Sequence, residues 1–138
     1  ALELNSDIAL FYLEIANACS SQEKYIQSIA NYEKALELSP DNESAYTSLG
    51  YLNIENSNVE EALKMFDKAL KIEPNYVEAI HGKGLAYLKN KDRITAMEYF
   101  TKACNYEYED SCEIKSGADS RAFNWRMRQL KKKRLRIQ

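Results

Sequence analysis

Little in this sequence punctuates a β-fold. Four glycines and two prolines in 138 residues are too few for the many tight turns of a sandwich or barrel, which favours helices. A single histidine, His81, leaves no multi-histidine zinc or di-iron centre to build, and any triad would have to use it as its only base. Three cysteines, Cys19, Cys104 and Cys112, form no CxxC and are too few for a disulfide scaffold. No apolar stretch approaches the roughly 18 residues that a membrane-spanning helix needs, and no secretory leader is legible. GxGxxG, the P-loop GxxxxGK(S/T) and HExxH are all missing. These absences argue against a catalytic domain and assign no cofactor and no metal.

What the chain does have is an apolar fraction of 45 %, enough for a core and more than a disordered segment carries. Its length fits one cooperative unit. The formal net charge is -2, but it is unevenly spread. Residues 121–138 carry eight bases (Arg121, Arg126, Arg128, Lys131, Lys132, Lys133, Arg134 and Arg136) and no acid. The first 120 residues hold 11 bases and 21 acids. Such a split points to a body and a tail with different partners.

A step of 34 residues organises the body. Ala1, Ala35, Ala69 and Ala103 fall in one column, as do Tyr32, Phe66 and Phe100. Ala16, Gly50 and Gly84 share another, and so do Ile29, Leu63 and Met97, with Pro40 above Pro74. Within a unit, Ala45-Tyr46 and Leu49-Gly50 read as a first helix, and Asn56-Ser57-Asn58 breaks it. Val59, Ala62, Leu63, Phe66, Ala69 and Leu70 then recur at three and four residues, the stripe of a second helix. Pro74 lacks an amide hydrogen and predicts a stop near Ile72. Asp41-Asn42-Glu43 and Asn75 offer capping oxygens to the helices that follow. Small residues at 16/50/84 and 62/96 let paired helices approach, and a large ring at 32/66/100 fills the space beside them. One such pair cannot bury its own apolar face, whereas three in succession can.

These columns resemble the tetratricopeptide repeat, with Tyr46, Leu49, Gly50, Ala62, Phe66, Ala69 and Pro74 matching its pattern best. The resemblance implies an all-α, right-handed α-solenoid of antiparallel helix pairs. The expected division is 9–42, 43–76 and 77–110 as three repeats, with 111–138 as a capping helix and basic tail. The first repeat departs with Ala16 for Gly and Ser28 for Ala, the third with Lys83 for Leu and Tyr108 for Pro. In this phase residues 1–8 read as the end of a preceding repeat helix, since Ala1-Leu2-Glu3-Leu4 parallels Ala35-Leu36-Glu37-Leu38. A fragment or processed form of a longer array is therefore expected. Gly117 is expected to interrupt the helix opened by Ser111 to Ser116.

The family presents the first helix of each pair on a concave surface. The resemblance places Leu13, Asn17, Ser44, Thr47, Ser48, Tyr51, Glu78, His81, Leu85 and Leu88 there as a groove for a partner peptide or helix. Tyr51 and Leu85 are the expected apolar anchors, and Asn17 and Ser48 the expected hydrogen-bonding groups. Tyr12, Tyr32, Tyr46, Phe66, Tyr87 and Phe100 are core, and Cys19 packs as a small hydrophobe. Tetratricopeptide co-chaperones grip a carboxylate-ended tail with Lys, Asn, Asn, Lys and Arg. The matching positions here are Leu13, Asn17, Ser48, Glu78 and Gly82, of which only Asn17 agrees, and Glu78 has the wrong sign. His81 reads as an exposed polar residue of that face.

Three functions follow as expectations: a protein-interaction scaffold, an adaptor for nucleic acid or an anionic membrane through Arg126, Arg128, Lys131, Lys132, Lys133, Arg134 and Arg136, or an interaction module of a larger protein. Self-association through the N-terminal repeat is a further expectation. The spacing of Cys104 and Cys112 resembles the cysteine pairs of Sel1-like repeats at a single junction; two free thiols are expected, with the disulfide that the resemblance implies as the alternative. A cytoplasmic location is expected, with a secreted or periplasmic one as the alternative if Cys104 and Cys112 are bonded.

Overall fold

The structure is a computed structural model that describes residues 2–118 and, beyond them, Arg121, Arg128 and Lys132. Six helices follow in order: α1 (Leu2–Ser21), α2 (Tyr25–Leu38), α3 (Glu43–Glu55), α4 (Val59–Ile72), α5 (Val77–Lys89) and α6 (Arg93–Asn105). Residues 109–118 open a seventh, α7, and no strand occurs among the described residues. Each odd-numbered helix packs along the even one after it, and α2 packs on α3 as α4 does on α5. In addition α3 touches α5, so the first helices of the second and third pairs meet directly. The result is an all-α solenoid of stacked helical hairpins, as the 34-residue columns require.

Every hairpin turns in the same way, and glycine is not what lets it turn. Glu23, Ser57 and Lys91 stand 34 residues apart and all have left-handed backbone, with φ of 59°, 62° and 64°. The amide after each donates back across the turn: Lys24 to the Cys19 carbonyl at 2.9 Å, Asn58 to Asn53 at 2.7 Å and Asp92 to Tyr87 at 3.0 Å. This is the Schellman pattern, which satisfies carbonyls that the helix end leaves open. Glu107, with φ of 63°, repeats it between α6 and α7.

The entries to the helices are less uniform. Asn42 Oδ1 accepts from the Ala45 amide at 3.0 Å, and Asp92 Oδ1 from Thr95 at 3.2 Å. Asn75, an expected cap, does not cap α5. Tyr76 occupies that position without a side-chain bond, and Asn75 Oδ1 accepts from the Tyr106 hydroxyl at 2.9 Å. Residues 2–8 also differ from expectation, because they run unbroken into α1 and form no separate helix end. Asn5-Ser6-Asp7 contains neither glycine nor proline, and nothing there is strong enough to stop a helix flanked by good formers. Gly117 is itself helical, as is Ala118 after it, so no break falls at the glycine within the described residues.

The core explains the small columns in steric terms. Phe66 is fully buried between α3 and α5. A Cβ on Gly50 would lie 2.4 Å from its ring, and so would one on Gly82. The ring therefore sits on two bare backbones at once, one from its own hairpin and one from the next. Phe100 repeats half of this arrangement, since a Cβ on Gly84 would lie 2.6 Å from it. In the first hairpin Tyr32 takes the ring position above Ala16, and its hydroxyl donates to Asn17 Oδ1. Ser28, where the family has Ala, is fully buried and donates its hydroxyl to the Ala16 carbonyl at 2.7 Å. Lys83, where the family has Leu, turns its ammonium outward to Asp67 at 2.6 Å and lies 4.8 Å above the Tyr99 ring.

Candidate peptide-binding face

The first helices carry the expected binding residues, and the structure sets these in several different surroundings. Tyr51 of α3 reaches Glu78 of α5, and Ser44 and Ser48 stand seven and three residues before Tyr51, on the same side of α3. The Tyr51 hydroxyl donates to the Glu78 backbone carbonyl at 2.7 Å, and its ring stands edge-on to Phe66 at 5.3 Å. Tyr51 is thus a strut between two hairpins, with one side still accessible. Leu13 lies further along, in a cleft of about 310 Å³ with Leu10, Ser39, Asn42 and Ala45. Asn17 is exposed, but its carbonyl oxygen is held by Tyr32. Leu88 faces the other way, into a cleft of about 430 Å³ between α5, α6 and α7 lined by Met97, Phe100 and Ile114. Leu85 is half-buried in the core around Phe66.

Two expected face residues are buried. Thr47 bends its hydroxyl back to the Glu43 carbonyl at 2.8 Å, so its methyl group and not its oxygen fills the space. His81 is covered by α7. Its Nδ1 is 2.6 Å from Ser111 Oγ, and its ring packs against Tyr108 at 4.8 Å and Phe100 at 5.4 Å. The reading of His81 as an exposed polar residue is corrected accordingly: a helix laid over α5 removes it from solvent. Burial holds the imidazole below its ordinary pKa, against the opposing pull of the Asp110 carboxylate.

Two residues that the sequence did not single out complete the face. Tyr108 and Asp110 enter from the turn and first residues of α7. Burial pushes the Tyr51 phenol well above its usual pKa, and the charges near it, Glu78 and Asp110 among them, push the same way. Tyr108 is raised by burial, then by Asp110 and Glu78. Both acids therefore lie near enough to both phenols to act on them electrostatically. Asp110 was discoverable only from the knowledge that α7 folds over α5. In the sequence it is one acid among 21.

The cysteine pair resolves to the disulfide. Cys104 and Cys112 sulfurs are 2.13 Å apart, joining the end of α6 to the start of α7, and Cys19 remains a free thiol. Of the basic run, Arg121, Arg128 and Lys132 are helical and exposed. Arg126, Lys131, Lys133, Arg134 and Arg136 lie outside the described residues.

Family models for the tetratricopeptide repeat match residues 16–57, 43–76 and 77–110, which together span most of the chain. The chain belongs to the tetratricopeptide repeat family. No curated protein sequence matches it significantly. Among solved structures, two of MamA are 25 % identical to it, with TM-scores of 0.67 and 0.68 over 73 % and 75 % of this chain. The chain spans 58 % and 60 % of the length of those two. The tetratricopeptide domain of Arabidopsis OM64 superimposes with a TM-score of 0.77 at 19 % identity, covering 83 % of this chain and 95 % of that one. The first tetratricopeptide domain of Spaghetti (RPAP3), bound to the HSP90 peptide SRMEEVD, gives 0.77 at 18 % identity, over 85 % and 97 %. At these identities the last two share the tetratricopeptide fold with this chain.

Proposed function

We propose that this tetratricopeptide array is a protein-interaction scaffold whose α1–α3–α5 face takes an extended or helical peptide bearing a lysine or arginine. The observation that carries the reading is that the Tyr51 hydroxyl reaches the Glu78 backbone carbonyl at 2.7 Å, with the Glu78 and Asp110 carboxylates as charged neighbours of both Tyr51 and Tyr108. Ser44 and Ser48, the other expected residues of this face, carry no charge to balance them. A cation placed there gains two carboxylate partners and ring faces, whereas an acidic tail such as SRMEEVD would meet repulsion. The peptide-bound structure of Spaghetti supports a peptide as the ligand class, and the charge of this face supports the opposite sign. The frame makes and breaks no bond in this reading; it offers a shape held rigid by Phe66 and a sign set by two acids. The Cys104–Cys112 bond supports an oxidising compartment over a reducing cytosol.

The test is a titration of the full chain with two fluorescent peptides of equal length, one lysine-rich and one glutamate-rich. The lysine-rich peptide should bind more tightly, and Glu78→Lys should reverse the order. Equal affinity for both, or an order that Glu78→Lys leaves untouched, overturns the assignment of this face.

A further inference from the structure

We propose that the outer face of α1 is the seat for the basic C-terminal segment, residues 121–138, of a second copy of this chain, so that copies associate head to tail. The starting observation is an apolar stripe on α1 that no described residue of its own chain covers. Leu4, Ile8 and Phe11 are 63 %, 37 % and 59 % exposed. They follow at i, i+4 and i+7, with half-buried Ile15 next in line, which is the seam by which one helix packs on another.

The other hairpins show what this face does elsewhere in the fold. The counterparts of Phe11 one and two repeats on are Ala45 and Ala79, both buried because α2 packs on α3 and α4 on α5. A benzyl group does not fit a seat cut for a methyl group. The occupant of the α1 face is therefore not another hairpin stacked in the same register.

Charge chooses among the remaining occupants. Asp7 and Glu14 are exposed and lie along one flank of the stripe, and α1 contains no lysine or arginine. A second α1 would bring acids to acids and nothing to neutralise them. Residues 121–138 have the opposite character, with eight bases and no acid. They also repeat the spacing of the seam, with Phe123, Met127 and Leu130 at i, i+4 and i+7. The partner is a second copy because α1 and α7 stand at opposite ends of the stack, with α3 to α6 between them. A contact of this kind joins two different surfaces, so it propagates from copy to copy unless it closes into a ring.

Sedimentation of the full chain over a range of protein and salt concentrations tests the proposal. Association is expected to rise with protein and to weaken at least tenfold between low and high salt. Phe11→Asp, which keeps the basic segment, should be monomeric, and so should the triple change Lys131→Glu, Lys132→Glu, Lys133→Glu, which keeps the seam. Circular dichroism confirms that both are folded. Mixed together, the two variants should form a one-to-one dimer that grows no further, since each supplies the surface the other lacks. A wild-type chain that stays monomeric overturns the proposal, as does association that survives the triple change. A mixture that does not pair overturns it as well.

Discussion

The first and third hairpins share the same columns and end up with opposite surroundings. In the third, α5 is overlaid by α7, which is held by the Cys104–Cys112 bond and by the contact between His81 and Ser111. In the first, α1 keeps Leu4, Ile8 and Phe11 uncovered by any described part of its own chain. Between them, Phe66 rests on Gly50 and Gly82 and locks the second hairpin to the third. The first hairpin joins the second through a cluster of Tyr32, Leu36, Leu49, Leu52 and Met65, with no glycine beneath a ring. A repeat sequence therefore fixes the hairpin but not its environment, which depends on what each end of the stack is offered.

The largest test of that difference is to empty the ring position. Phe66→Ala should cost about 3–5 kcal/mol and uncouple the second hairpin from the third, read by denaturant unfolding followed with circular dichroism. The next removes the staple at one end only. Opening the Cys104–Cys112 loop, with its sequence separation of 8, should cost about 2–3 kcal/mol by chain-entropy reasoning. That loss should appear in α6 and α7 and leave the first hairpin unchanged, as proteolysis under reducing and non-reducing conditions would report.

The smallest effect is pH-dependent. The pKa of His81 is lowered in the fold by burial, so the unfolded chain binds its proton more readily. Stability then rises with pH through this window. It is fully present above the ordinary imidazole value of 6.5 and is lost as pH falls from there toward the depressed value. Asp110 opposes the shift and limits its size. Melting at pH 7.5 and 5.5 should differ more for the wild type than for His81→Gln. An equal difference would place the imidazole outside the fold's proton balance.

Much of this fold was legible because its columns are steric. Alanine and glycine at 34-residue intervals facing aromatic rings read directly as close helix pairs, and Pro74 gave the end of α4 at Ile72. The candidate face was legible only in part. Ser44, Ser48 and Glu78 are accessible where the repeat phase put them. Tyr51 is only half so, because its hydroxyl was claimed by a carbonyl 27 residues away. His81 and Asp110 took roles that depend on α7 lying over α5, a packing choice made beyond the last repeat that fits the pattern. The continuation of α1 through residues 2–8 was missed because a repeat phase says where a homologous helix would end and not whether this chain turns there.

Phe66, seated on Gly50 and Gly82, makes the second and third hairpins one rigid frame. Hydrogen exchange of Gly82→Ala beside the wild type tests it most directly. The added methyl group should speed amide exchange in α4, α5 and α6 by at least tenfold while α1 and α2 change little. Unchanged protection in α5, or acceleration spread evenly over all six helices, would contradict it.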